Sequence, residues 1–336
     1  MFGSHRDYAT GPESQFFSKL SPSDLDEAVA DEHWPQRAVT LLSGLTLAGQ
    51  DVLGLFETSP QAATDFLAAR QPSVRAMLEA LCVPFAASRG KAGWAEKTPN
   101  HILNLPQIRR EWPDARIVRI MRDPRDAALS TFNLPTFSDR FAANMYLWRS
   151  WQDVGERFLS SDPLSTTIRY ESLVADPVTQ LRELCTSIGI DFDPAMLDFA
   201  SSAADVSSAA ETWKRPVGGK LDESRLFAWK KVLADEDKML ADNVVADYLA
   251  RFDYEAEPPV ARCRTAYRLS PGFVERHEDE IRRQLRAGTR WLPVEDKGDA
   301  DLVVEHPPYR RFRNPIDLAK LAIGRIRFAG IGSLHG

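Results

Sequence analysis

Cysteine is scarce in this sequence, with three residues, Cys82, Cys185 and Cys263, among 336. They lie far apart and form no Cys-x-x-Cys pair, so their spacing suggests neither a disulfide framework nor a cysteine zinc site. Thiols without such partners are typical of a reducing compartment. We therefore expect a cytoplasmic protein.

Long hydrophobic runs are also missing. The longest apolar stretch, residues 38 to 48, is interrupted by Ser43 and Gly44 and is too short to span a bilayer. The N-terminus turns polar within a few residues and shows no secretory signal. We expect no transmembrane segment.

The chain has no excess of positive charge, since its formal net charge is −6 and its pI is about 5.6. This balance argues against a general nucleic-acid binder, although a local basic pocket for an anionic nucleotide is compatible with it. Hydrophobic residues at 43% and charged residues at 27% are typical of a globular protein with a substantial core.

Four widespread catalytic signatures are absent as well. The sequence contains no Gly-x-x-x-x-Gly-Lys-Ser/Thr loop, no Gly-x-Gly-x-x-Gly fingerprint, no Gly-x-Ser-x-Gly elbow and no His-Glu-x-x-His pattern. An ordinary P-loop NTPase, a Rossmann dehydrogenase, an α/β-hydrolase and a zinc protease are therefore unsupported.

Residues 116 to 131 are the most informative segment that is present. Residues 116 to 121 are short, largely apolar and partly β-branched, as in a buried strand. Asp123 and Pro124 then supply an N-cap and a proline for the first helical turn. In an open parallel sheet such a strand–turn–helix unit lies where ligands bind, and the helix N-terminus favours anions.

Arg122 and Ser130 are the candidate ligand-binding residues of this segment. A planar cation at the strand end and a hydroxyl eight positions on can converge on one phosphate. An ion pair between Arg122 and Asp123 or Asp126 is the alternative, because arginines at such turns are often structural.

Further elements indicate an α/β fold. Residues 93 to 97 and 166 to 170 are strand candidates, and helical patterns separate the strands. Such alternation predicts a parallel sheet flanked by helices on both faces. Lys97 ends its strand as Arg122 does, so we expect the two cations to line one ligand crevice.

Most remaining segments are predicted to be helical. Residues 22 to 90 are helix-rich, and their apolar side chains form either core or the wall of a substrate pocket. Residues 101 to 111 and 138 to 159 also have helical patterns, the latter with Trp148 and Trp151 as expected core anchors.

Three runs, in this order, resemble the sulfotransferases that use 3′-phosphoadenosine 5′-phosphosulfate. They are Trp-Ala-Glu-Lys-Thr-Pro-Asn-His at 94 to 101, Pro-Asp-Ala-Arg-Ile-Val-Arg-Ile-Met-Arg-Asp-Pro-Arg-Asp-Ala-Ala-Leu-Ser at 113 to 130, and Arg-Tyr-Glu-Ser-Leu-Val-Ala-Asp-Pro at 169 to 177. The resemblance covers about residues 1 to 255 and implies one domain with the P-loop-NTPase-like sulfotransferase fold.

The resemblance also implies roles for individual residues. Lys97 would stabilise the transferring sulfuryl group, and Glu13 would take the proton of a hydroxyl or amine acceptor. Arg122 and Ser130 would hold the 3′-phosphate, with Tyr170 supporting the nucleotide. No metal is required where cations and backbone donors supply the field, and small-molecule, carbohydrate and peptide acceptors all stay open.

Two further assignments remain alternatives. Residues 224 to 231 resemble the family segment whose basic residues close over the nucleotide, which makes Arg225 a candidate ligand, although Ala228 stands where a glycine is expected and an exposed charge run is equally compatible. His101 is an alternative base to Glu13, or a structural histidine.

One part of the family pattern is missing. In the family, a strand and a Gly/Ser/Thr-rich loop that cradles the 5′-phosphosulfate precede the first helix, and this chain shows no such loop before Glu13. We expect the natural chain to begin about one strand, one loop and one helix before Met1. The alternative is a non-catalytic, nucleotide-binding or structural remnant of a sulfotransferase.

Residues 256 to 336 are predicted to form a C-terminal extension. Residues 271 to 286 are compatible with an amphipathic helix, 296 to 308 with a linker, and 310 to 327 with a basic amphipathic tail. The tail suits an anionic membrane surface, a partner, or docking on its own domain.

Overall fold

Helices and short strands alternate along the chain, which confirms the predicted α/β class. The computed structural model describes residues 1–132, 134, 137–206, 211, 221–256, 274, 275 and 278. Their contacts divide the chain into two compact units. Unit 1 contains Met1–Arg119, Phe158–Ile168 and Ser172–Asp222, and unit 2 contains Ile120–Arg157, Arg169–Glu171 and the segment that begins at Glu223.

The elements of the described residues are as follows. The strands are β1 (Tyr8–Thr10), β2 (Thr46–Leu47), β3 (Gln50–Asp51), β4 (Gly93–Ala95), β5 (Ile117–Met121) and β6 (Ser165–Arg169). The α-helices are α1 (Phe16–Lys19), α2 (Pro22–Ala30), α3 (Gln36–Ser43), α4 (Val52–Leu55), α5 (Pro60–Ala68), α6 (Val74–Ser88), α7 (Leu105–Glu111), α8 (Pro124–Thr131), α9 (Phe141–Leu159), α10 (Tyr170–Ala175), α11 (Pro177–Ile188), α12 (Trp229–Val232) and α13 (Asp235–Arg251).

Strand β1 is an element that the sequence pattern did not indicate. It pairs in parallel with β4, so that Tyr8 lies opposite Gly93 and Thr10 opposite Ala95. Strands β2 and β3 form an antiparallel pair, and β5 pairs with β6. Because β1 and β4 run in the same direction, the turns that follow them leave at the same edge of the pair.

The core of unit 1 lies among the predicted helix-rich residues 22 to 90, strand β1 and helix α1. Its largest fully buried side chains include Phe16, Phe17 and Phe56. Helices α2 and α5 begin with proline, which is tolerated there because the first turn has no partner for its N–H groups. The hydroxyls of Ser21 and Ser59 cap the two helices. A smaller cluster surrounds α11.

The core of unit 2 lies among α8, α9, α12 and α13. Trp229 and Tyr146 are fully buried there. Trp148 packs against the same cluster and meets the Tyr248 ring edge-on at 5.2 Å, as expected of a core anchor. Trp151 is partly exposed and contacts the Phe137 ring.

Several boundaries differ from the sequence-based expectation. The helix predicted over residues 101 to 111 is a 3-10 helix (Pro99–Asn104) that continues into α7. The predicted C-terminal helix, linker and tail lie outside the described residues, apart from three isolated positions. Within the described part of the chain, no helix is both long and apolar enough to cross a membrane.

Candidate functional site

The turn after β1 carries Glu13 in unit 1. A Cβ added to Gly11 would lie 2.5 Å from the Phe56 ring, so only glycine lets the backbone pass this close to the core. Gln15 ends the turn with a left-handed backbone, φ 55°, and precedes the first residue of α1. Such a conformation in a non-glycine residue is held by its surroundings.

Glu13 and Lys97, predicted as base and catalytic cation, lie in contact. Lys97 Nζ donates to Glu13 Oε1, and Gln15 Nε2 donates to Oε2 at 2.9 Å. The Lys97 side chain is 55% exposed, whereas that of Glu13 is 11% exposed. The structure therefore joins a nearly buried carboxylate to a cation that reaches into solvent.

Glu96, which the sequence did not single out, precedes Lys97 and is bonded to the residue that follows Glu13. Its Oε1 accepts from Ser14 Oγ at 2.7 Å, from Ser14 N at 3.2 Å and from Thr98 Oγ1 at 2.6 Å, while Oε2 lies 2.7 Å from His101 Nδ1. Burial opposes its ionisation, but His101 and the two hydroxyls outweigh burial and lower the pKa of Glu96 to about 2. The Glu96 carboxylate is therefore ionised at neutral pH.

His101 has both ring nitrogens engaged, because Phe17 N–H points at Nε2 from 3.3 Å while Nδ1 faces Glu96. Nε2 thus meets a main-chain donor and Nδ1 meets a carboxylate. This arrangement fits a structural histidine better than the alternative base. Ser14 Oγ donates to Glu96 rather than to His101, so the three residues do not form a nucleophile relay.

Arg122 in unit 2 lies at the end of β5, as predicted. Its Nη2 donates to the carbonyl oxygen of Arg225 at 2.8 Å, and its guanidinium lies 5.0 Å from the centre of the Tyr170 ring. Three of the four predicted nucleotide-binding residues therefore meet here, with Arg225 contributing its main chain. Asp126 Oδ2 is 3.9 Å away, at the limit of an ion pair.

Asp123 is engaged elsewhere and does not pair with Arg122. It caps α8 by accepting from the N–H of Arg125, and its carboxylate also accepts from Arg125 Nε at 3.0 Å and from Trp229 Nε1 at 3.1 Å. Burial raises the pKa of Asp126. Arg122 Nε and Asp126 Oδ2 are buried and, among the described residues, have no hydrogen-bond partner.

Ser130, the other predicted phosphate ligand, is exposed on α8. Its hydroxyl donates to the carbonyl oxygen of Ala127 at 2.8 Å, within its own helix. This is the usual resting state of a helical serine, and rotation about χ1 frees the hydroxyl for another acceptor.

A buried network fixes the Arg122 turn, and the sequence analysis missed most of its members. Glu171 accepts the N–H of Asp123 at 2.8 Å and the hydroxyl of Tyr254 at 2.8 Å. Arg125, fully buried, stacks 3.6 Å from the Trp229 ring. Glu171 lies inside the third sequence motif, which was the one available signal.

Metal ligation has no candidate in the described ranges, where no three His, Cys, Asp or Glu side chains are grouped to hold an ion. Cys82 and Cys185 are free and buried, and burial raises both pKa values.

Comparison with known proteins gives the following. A family model described as "Sulfotransferase family" matches residues 1–194. The sulfotransferase domain from the curacin biosynthetic pathway is 18% identical, with a TM-score of 0.47, and the match covers 75% of this chain and 91% of that one. The sulfotransferase domain of the Synechococcus PCC 7002 olefin synthase is likewise 18% identical with a TM-score of 0.47, covering 75% and 88%. Among curated proteins, none matches the chain significantly.

Proposed function

We propose that this chain, which belongs to the sulfotransferase family, moves a sulfuryl group from 3′-phosphoadenosine 5′-phosphosulfate to a hydroxyl or amine acceptor. The observation that carries the proposal is the contact between Lys97 and Glu13 at the carboxyl ends of β4 and β1. A base and a cation side by side are what the transfer needs, because the acceptor must lose a proton while charge develops on the donor.

In the proposed reaction the acceptor oxygen or nitrogen attacks sulfur, and the bond between sulfur and the phosphate oxygen breaks. Glu13 takes the acceptor's proton, and adenosine 3′,5′-bisphosphate leaves. Lys97 neutralises charge on the transferred group and on the leaving oxygen. With no donor bound, the same lysine balances the Glu13 carboxylate, whose second oxygen is held by Gln15.

The residues of unit 2 suit an anion. Arg122 is 21% exposed, so its guanidinium is partly desolvated yet accessible, and among the described residues its ion-pair partner, Asp126, is 3.9 Å away. A phosphate dianion is a stronger partner than the Arg225 carbonyl oxygen that Arg122 now contacts. We assign the 3′-phosphate to Arg122, with Tyr170, Ser130 and Arg225 as its neighbours.

Transfer is tested with donor carrying labelled sulfur and a panel of carbohydrate, peptide and small hydroxyl or amine acceptors. We expect Glu13→Gln and Lys97→Met to lower kcat by about 100-fold or more, the range for general-base and electrostatic catalysis. Lys19→Met is the matched control, because Lys19 is exposed on α1 and has no part in the proposed reaction. Transfer that survives in both site variants would contradict the assignment.

Donor binding is tested separately by calorimetry with adenosine 3′,5′-bisphosphate. Arg122→Ala should weaken binding by about 2 kcal/mol, roughly 30-fold, as expected for the loss of one charge-assisted contact. Arg251→Ala, which removes an exposed arginine of the same unit, should leave the affinity unchanged. Unchanged affinity in Arg122→Ala would overturn the phosphate assignment, and binding without any transfer would favour the non-catalytic alternative.

A further inference from the structure

We propose that Glu96 is a positioning residue that keeps Glu13 and Lys97 in register by tying together the two turns that carry them. This inference rests on the proposed function, because it explains how that function's base and cation are held. Glu96 acts through Ser14 and Thr98, the residues that follow Glu13 and Lys97.

One carboxylate oxygen makes the connection. Glu96 Oε1 accepts two hydrogen bonds from Ser14, through the main-chain N–H and the hydroxyl, and a third from the Thr98 hydroxyl. The Thr98 oxygen in turn accepts from the N–H of Gln15 at 3.3 Å. Residues 14 and 15 of one turn are thereby bonded to residues 96 and 98 of the other.

The second carboxylate oxygen is anchored to the core. His101 Nδ1 lies 2.7 Å from Oε2, and the His101 ring is fixed by Phe17, whose N–H points at Nε2 and whose ring meets it edge-on at 5.3 Å. The Glu96 side chain is only 8% exposed. A carboxylate this enclosed and this fully bonded cannot reach a substrate, but it can fix the backbone around it.

The need for such an anchor follows from the exposure of Lys97. A lysine side chain that is 55% exposed samples many rotamers, so its contact with Glu13 depends on where the two backbones lie. The β1–β4 pairing fixes both chains only up to Thr10 and Ala95. Beyond those residues, the bonds to Glu96 Oε1 and the bond from Gln15 N–H to Thr98 join the two turns.

The sharpest variant is Thr98→Val, with Thr98→Ser as its matched control. Valine keeps the shape of threonine but removes the hydroxyl that joins Glu96 to Gln15, whereas serine retains it. We expect kcat to fall about tenfold in Thr98→Val while the KM for the donor stays within about twofold, and Thr98→Ser to stay near wild type. A misplaced base and cation reduce the rate in this way because reactivity depends steeply on position.

A second readout does not depend on catalysis. While Lys97 Nζ is bound to the Glu13 carboxylate it is hindered from attacking acetic anhydride, so it should react slowly. Mass spectrometry can compare its labelling with that of exposed Lys19 in the same molecule. We expect Thr98→Val to raise the relative labelling of Lys97 severalfold and Thr98→Ser to leave it unchanged. Ser14→Ala, which removes one of the three bonds to Oε1, should shift labelling in the same direction and serves if Thr98→Val does not fold.

The two measurements separate the proposals. Faster Lys97 labelling together with lower kcat in Thr98→Val supports the positioning role. Wild-type labelling and wild-type kcat in a folded Thr98→Val protein overturn it. If wild-type protein transfers no sulfuryl group to any acceptor, the proposed function fails, and the labelling of Lys97 still decides whether Glu96 holds the pair.

Discussion

Arg125→Met is expected to be the most destabilising single substitution near the Arg122 turn. Arg125 is fully buried, and its guanidinium lies between two carboxylates and an indole ring. It donates to Asp123 through Nε at 3.0 Å and Nη2 at 2.9 Å, to Asp242 through Nη1 at 2.9 Å, and to the Glu255 carbonyl oxygen at 2.7 Å. Methionine matches its apolar stem but replaces none of these donors.

The magnitude follows from what is left behind. Removing one partner of a buried ion pair costs about 3–5 kcal/mol, mainly because the remaining charge is buried without compensation. Here two carboxylates lose their cation, so we expect the free energy of unfolding to fall by about 4 kcal/mol. Arg125→Lys keeps the charge but not the fork of donors, and should cost about 2 kcal/mol.

Urea unfolding followed by circular dichroism and tryptophan fluorescence measures these differences. Arg251→Met is the control, because Arg251 is 53% exposed and such surface pairs contribute about 0–1 kcal/mol. In an Asp242→Asn background the cost of Arg125→Met should shrink by about 1 kcal/mol or more, since one buried charge is gone. The reasoning is refuted if Arg125→Met destabilises the protein no more than Arg251→Met does.

Two further predictions concern unit 1. The pKa of Glu96, about 2 in the folded protein against an ordinary 4.5, means that its charge contributes stability above pH 4.5 that is lost as the pH falls towards 2. In urea titrations at several pH values, the difference in unfolding free energy between wild type and Glu96→Gln should therefore narrow by about 3 kcal/mol over that interval, and a constant difference would argue against an ionised Glu96. Gly11→Ala should lower the free energy of unfolding by about 1–3 kcal/mol, because it forces a methyl group against the Phe56 ring. Gly44→Ala is the control: its added Cβ would meet its nearest atom at 3.4 Å and should cost less than about 1 kcal/mol. Equal melting temperatures of the two variants would contradict this difference.

Features that depend on neighbouring residues could be predicted from the sequence. The start of α8 was predicted correctly because Asp123 and Pro124 fix a helix N-terminus by local chemistry. Strand β1 was missed because a segment of three residues followed by Gly11 is too short to show an alternating hydrophobic pattern. It is a strand only through its hydrogen bonds to β4, which lies more than eighty residues away.

The same distinction, between local patterns and distant partners, applies to the residues of the candidate site. Lys97 and Arg122 could be found because each closely follows a strand, and Glu13 because it belongs to a family motif. Glu96 and Arg125 could not, since charged residues are rarely buried, and what makes burial tolerable is a set of partners distant in sequence. No local sequence pattern predicts those partners.

The segments that follow β4 and β5 nevertheless share a pattern that is visible in the sequence. In each, a cation and an acid are adjacent: Glu96 with Lys97, and Arg122 with Asp123. In both pairs the cation is the more exposed partner, while the acid is enclosed and bonded to the following turn. The acid therefore sets where the cation stands. It follows that loss of Glu96 should reduce stability and catalysis, and loss of Asp123 should reduce stability and ligand binding. Loss of Lys97 should reduce catalysis, and loss of Arg122 binding, with stability nearly unchanged in both.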